Sequence, residues 1–99
     1  MIVVSGTVRV RPGLRQEAVE RAVWMQALVE SEPGCLSYRF YADLEHPDLF
    51  RVFEVWESDA ALKVHFQTPH MAEFNRALAG LLAEKPQITR YAVSEHTSF

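Results

Sequence analysis

Residues 33–58 read PGCLSYRFYADLEHPDLFRVFEVWES, and the reading of this stretch decides the fold. Leu36, Tyr38 and Phe40 alternate with Cys35, Ser37, Arg39 and Tyr41. After the polar run Asp43 to Asp48, Phe50, Val52, Glu54 and Trp56 alternate with Leu49, Arg51, Phe53 and Val55. A period of two among aromatic and β-branched residues is that of a strand, so the stretch predicts two strands joined by a hairpin loop. A loop symmetric about His46 sets Phe40 opposite Val52 and Tyr38 opposite Glu54, whereas a slip of one residue exchanges the faces.

Upstream, Ile2 to Arg11 alternates as a further strand, with Ile2, Val4, Val8 and Val10 on one side. Pro12-Gly13 breaks it. From Leu14 the period changes to a helical seam of Leu14, Ala18, Ala22, Met25 and Val29, widened by Val19 and Val23, with Glu17 and Arg21 as an i,i+4 pair outside. Pro33-Gly34 stops this helix near Glu32.

Downstream, Ser58 or Asp59 caps a helical region carrying Leu62, His65 and Phe66 on one side. Thr68-Pro69 interrupts it, and Thr68 caps a second piece bearing Met71, Phe74, Leu78 and Leu81 on its inner face. Pro86 ends the helix, and Gln87 to His96 reads as a last strand. The order β-α-β-β-α-β is the ferredoxin-like arrangement of the α+β class, a four-stranded antiparallel sheet with two helices on one face. Large apolar groups on both faces of the third strand, Phe53 and Val55 against Phe50, Val52 and Trp56, call for a cover on the second face. A homodimer packed sheet to sheet supplies it.

At 99 residues the chain is expected to be a single domain spanning 1–99, able to bury roughly two-thirds of its unfolded surface. Its composition, 48% apolar and 11% aromatic, leaves more large rings than so thin a core easily hides, so some should face a partner or ligand. The net charge of -3 and the scattered Lys and Arg give nucleic acid no electrostatic footing. Cys35 is alone, which excludes an intramolecular disulfide. The run Ile2-Val3-Val4 is too short for a signal or membrane segment, so a cytoplasmic protein with no membrane partner is expected.

Glu54 is the residue hardest to explain as packing. It shares a strand face with Phe50, Val52 and Trp56, where a carboxylate must find a partner or raise its pKa by desolvation. It reads as a base or as the group that orients His65; a salt-bridged strand residue is the plainer alternative. His65, among Leu62 and Phe66, is a candidate proton acceptor. His70 reads as a capping or exposed residue. No histidine pair has the i,i+4 spacing of a helical metal site and Pro69 separates His65 from His70, so no metal is expected. No Gly-rich dinucleotide fingerprint follows a strand, so no cofactor is expected. The rings of Tyr38, Trp56, Phe40, Phe66 and Phe74, with Trp24 and Phe53, are candidates to line a flat pocket, although each taken singly is also ordinary core. In the symmetric register, Glu54 is the partner of the Tyr38 hydroxyl.

The segments Glu32-Pro33-Gly34-Cys35-Leu36-Ser37-Tyr38, Glu54-Val55-Trp56-Glu57 and His65-Phe66-Gln67-Thr68-Pro69-His70 closely resemble the antibiotic biosynthesis monooxygenase family across nearly the whole chain. The resemblance implies a dimeric α/β barrel. It also implies a cofactor-independent monooxygenase oxidising a quinol or polyphenol-type aromatic substrate, with His65 and Glu54 catalytic and Tyr38 and Trp56 orienting the ring. The family also holds autoinducer-processing isomerases, so an isomerase of a small hydroxylated carbonyl compound is the alternative, and a non-catalytic dimeric small-ligand-binding module is a third. Haem-degrading members resemble the chain less well. They carry Trp near the place of His65, an axial His where this chain has Asn75, and an Asn where it has Ser5 and Gly6.

Overall fold

The computed structural model describes residues 1–99. The elements run β1 (Ile2–Arg9), α1 (Arg15–Val29), β2 (Cys35–Ala42), β3 (Leu49–Trp56), α2 (Asp59–Phe66), α3 (Pro69–Ala79) and β4 (Gln87–Ala92). The strands form one antiparallel sheet in the order β2-β3-β1-β4, the ferredoxin-like topology expected from the element order. Tyr38 lies opposite Glu54 and Phe40 opposite Val52, the register of the symmetric hairpin. A bulge between Cys35 and Ser37 ejects Leu36 from the alternation, so Leu36 is exposed instead of lying inside with Tyr38 and Phe40.

The helices cover one face. Ile2, Val4, Tyr38, Val52 and Trp56 of the sheet meet Met25 and Val29 of α1, Leu62 of α2 and Phe74 of α3 in one core. Of the two cap candidates for α2, Ser58 is the one that accepts the Ala61 N–H, while Asp59 begins the helix; Thr68 caps α3 by accepting the Met71 N–H, as expected. Val23 is exposed and does not widen the seam of α1. Arg21 pairs with Glu73 of α3 at 3.7 Å and lies over the Trp24 ring, a tertiary role in place of the local pair with Glu17. The helix α3 ends at Ala79, well before Pro86. Its outgoing chain then bonds to the end of β1, Arg11 N–H to the Leu81 carbonyl and Ala83 N–H to the Arg9 carbonyl, which also ends β1 at Arg9. The last strand stops at Ala92, short of the expected His96.

The opposite face of the sheet is bare. By register it carries Val3 beside Val55, Phe53 beside Ser5, and Tyr91 beside Val3, with Phe53 and Tyr91 exposed. No helix is long and apolar enough to cross a membrane.

Candidate active site

Two polar side chains are buried with the core, Glu54 on β3 and His65 on α2. Both face the layer between sheet and helices. Glu54 alternates with Val52 and Trp56 on the covered face, and His65 points inward one turn beyond Leu62. The His65 ring lies 4.8 Å from that of Trp56 and 5.8 Å from that of Tyr38, centroid to centroid.

The partners of these groups differ from those the sequence implied. The Trp56 indole N–H donates to Glu54 Oε1 at 3.0 Å, so the carboxylate is held by its neighbour two residues along the strand and not by the Tyr38 hydroxyl. An indole has only a donor to satisfy, and Trp56 is completely buried; the carboxylate beside it is the acceptor within reach. Glu54 does not orient His65 either. That role falls to Glu32, whose carboxylate lies 3.0 and 3.2 Å from His65 Nδ1.

The turn between α1 and β2 brings Glu32 there. Gly34 adopts φ +80°, and a Cβ at that position would stand 2.6 Å from the Ala61 Cβ of α2. Only glycine fits both demands, a left-handed backbone and a close approach to the helix. The turn is pinned on its other side by the Glu57 N–H donating to the Gly34 carbonyl at 2.8 Å. Pressed against α2 at Ala61, it delivers Glu32 to His65, one helical turn further on.

His70 joins the same carboxylate. Its Nε2 lies 2.7 Å from Glu32 Oε2, so it is a part-buried partner of that carboxylate and neither a cap nor a free surface group. The cause is the corner between α2 and α3: the Thr68 hydroxyl donates to the His65 carbonyl at 2.8 Å while accepting the Met71 N–H, which fixes the break and sets the imidazoles side by side. Spacing along a continuous helix does not apply across such a corner. Glu32 and His70 both lie in the segments quoted above, Glu32 before the Pro-Gly turn and His70 after Thr-Pro, but nothing local marks either as a partner of His65.

Burial pushes the Glu54 carboxyl up to about 7, against the Trp56 hydrogen bond and with help from the charge of Glu32. Burial, then Glu54 and Glu32, raises the Tyr38 hydroxyl, which therefore stays neutral. Burial, then the charge of Glu32, pushes the Cys35 thiol up to about 11, which removes it as a nucleophile at neutral pH.

The remaining candidate rings divide. Phe40 lies edge-on to Tyr38 and packs against Phe74, and these two line a separate apolar void of about 20 Å³ with Val8, Val10, Phe50, Leu78 and other residues. Phe66 is more than half exposed at the last position of α2. The short helix turns Leu62 and His65 inward, and Phe66, about 100° further round than His65, lies at its outer flank. Tyr38 also borders a groove of about 360 Å³ with Glu30, Cys35, Leu36, Ser37 and Arg39.

Comparison with known proteins agrees with this architecture. The family model described as "Antibiotic biosynthesis monooxygenase" matches residues 1–77. The "Uncharacterized protein sll1783" of Synechocystis is 40% identical over 94 residues, and the match takes in 95% of this chain but only 64% of that protein's length. The Escherichia coli protein named "Probable quinol monooxygenase YgiN" is 33% identical over 85% of this chain and 90% of its own. A Deinococcus radiodurans crystal structure, titled a "putative antibiotic biosynthesis monooxygenase", superposes with a TM-score of 0.93 at 25% identity, covering 100% of this chain and 98% of that one. On these matches, the chain belongs to the antibiotic biosynthesis monooxygenase family.

Proposed function

We propose that the protein is a cofactor-independent monooxygenase of a quinol or polyphenol-type substrate, with His65 as the base. One observation carries this reading: the buried His65 has a carboxylate on Nδ1. A carboxylate only accepts hydrogen bonds, so a neutral imidazole keeps its proton on Nδ1 and presents a lone pair at Nε2. The pair works as a carboxylate and histidine do in acyl transfer, one fixing the tautomer and the other taking the proton.

A phenolic proton passing to Nε2 leaves an electron-rich ring whose carbon bonds to dioxygen. One oxygen atom stays on the carbon in place of hydrogen, the O–O bond breaks, and the other leaves as water. Quinol plus dioxygen thus gives hydroxyquinone plus water, the ring supplying all four electrons. Glu54, with a pKa of about 7, can take up and return a proton at neutral pH, and the neutral Tyr38 hydroxyl serves as a donor to the substrate oxygen. The His65 ring lies 4.8 Å from that of Trp56 and 5.8 Å from that of Tyr38, so a substrate ring reaches Nε2 as these side chains part. The name borne by the Escherichia coli relative supports the quinol class.

Two copies of the chain joined through their bare sheet faces complete this reading, since Phe53 and Tyr91 otherwise stay in water. Sedimentation at micromolar concentration should give a dimer, and a sharply monomeric species would contradict it. The reaction is tested by oxygen uptake with a panel of quinols and catechols, against a protein-free control for autoxidation. Uptake above the control supports the assignment. Uptake equal to it across the panel, with turnover of small hydroxyketones instead, transfers the same proton-moving groups to isomerisation; no turnover of either class leaves a binding module.

A further inference from the structure

Nδ1 of His65, Nε2 of His70 and the Glu32 carboxylate lie within 4.8 Å of one another. Both nitrogens approach the same oxygen, Glu32 Oε2, at 3.0 and 2.7 Å. Two imidazoles and one carboxylate are the donor set of a borderline divalent cation, and three protein ligands leave a fourth position open. Donors held tetrahedrally around zinc at its usual bond lengths stand about 3.4 Å apart, a spacing that small side-chain adjustments reach here. Three separate segments contribute the donors: the Pro33-Gly34 turn locked against Ala61, the end of α2, and the first turn of α3 behind the Thr68 cap. The backbone is thus fixed before any ion arrives. Side-chain exposure rises from 1% at His65 through 9% at Glu32 to 21% at His70, which gives the cluster one approach, past His70.

We propose that Glu32, His65 and His70 form a binding site for a borderline divalent cation such as Zn²⁺, and that the ion and the base function of His65 exclude each other. The exclusion rests on the function proposed above; the site itself does not. A neutral imidazole has one lone pair. An ion on Nδ1 takes the lone pair of the other tautomer: the single ring proton leaves Nδ1 and is carried on Nε2 instead, and Nε2 can then accept nothing. The cation is an inhibitor of proton abstraction at this site.

Equilibrium dialysis of the chelator-treated full chain against micromolar Zn²⁺ should find one ion per chain, with Co²⁺ giving the visible absorption of a low-symmetry site. His70→Ala and Glu32→Gln, each checked for folding by circular dichroism, should weaken binding by more than about 100-fold, because loss of a group that merely supports a ligand already costs about 10-fold to 100-fold. His46→Ala, in an exposed loop, should leave binding unchanged. Absence of stoichiometric binding, or equal binding by both cluster variants, overturns the site. Nitrogen-15 spectra of His65 test the exclusion without reference to any substrate: the proton should sit on Nδ1 in the metal-free chain and on Nε2 with Zn²⁺ bound. A lone pair remaining on Nε2 in the zinc-bound state overturns the exclusion, and failure of oxygen uptake alone overturns only the quinol assignment.

Discussion

Toward Phe40 and Phe74, the layer between sheet and helices holds hydrocarbon and ring edges around a void of about 20 Å³, room for a single water at most. Toward Trp56 and His65, a few residues along the same strands, it holds an indole, two imidazoles and two carboxylates, and no buried side-chain donor or acceptor lacks a partner. One end resists change through dispersion and burial, so its cost for a lost ring is a packing cost. The other end is filled as tightly but with groups that exchange protons, and each must stay paired because an orphaned polar atom in so dry a place costs about 1–3 kcal/mol. The aromatic residues of this layer therefore stand in two different surroundings, according to whether a titratable group stands among them.

The contrast is attacked most directly at His65. His65→Ala, if folded, should lower oxygen uptake about 10²-fold to 10⁴-fold relative to the wild type, the usual cost of removing a positioned base. Undiminished uptake by the folded variant would remove the functional half of the comparison. At the other end, Phe74→Ala should cost about 3–5 kcal/mol in urea unfolding, because the lost ring enlarges a void that already exists. A cost below about 1 kcal/mol would mean that α3 collapses onto the sheet and that this end is softer than its packing implies.

Glu54 sharpens the difference through pH. Its folded pKa of about 7 lies above the ordinary 4.5 because burial penalises the anion. Below 4.5 both folded and unfolded chains hold the proton and no penalty acts. Between 4.5 and about 7 the folded chain retains a proton that the unfolded chain has lost, so stability falls as pH rises, and above about 7 the penalty is complete. The contribution is about 3 kcal/mol. Glu54→Gln keeps an acceptor for the Trp56 indole and should abolish this part of the slope, making the variant more stable than the wild type at pH 8. Identical pH profiles would place the glutamate in water.

The smallest effect is expected at the corner. Thr68→Ala removes a cap and the hydroxyl that holds the His65 carbonyl, and should cost about 1 kcal/mol in thermal unfolding. Loss of that order together with a weakened Glu32 contact, seen as a shift in the His70 side-chain resonances, would tie the corner to the cluster. An unchanged cluster would make the cap a local matter.

Alternation marked the strands, a loop symmetric about His46 offered the register that faces Tyr38 with Glu54 against a slip of one residue, and Thr68 and either Ser58 or Asp59 stood where caps stand, because period, turn residues and capping side chains act over a few neighbouring positions. It also singled out Glu54 as a carboxylate out of place and His65 as an imidazole among apolar neighbours. Which groups these two would meet was decided only in three dimensions. Glu32 is 33 positions from His65 and 38 from His70, and no periodicity spans such a gap. Their meeting depends on a glycine turn seated against Ala61 and a helix broken at Thr68-Pro69, two local events whose consequences add only once the helices pack on the sheet. Phe66 makes the converse case. Its spacing is that of a buried residue, but it stands at the last position of α2, about 100° round from His65, and tertiary packing left it outside.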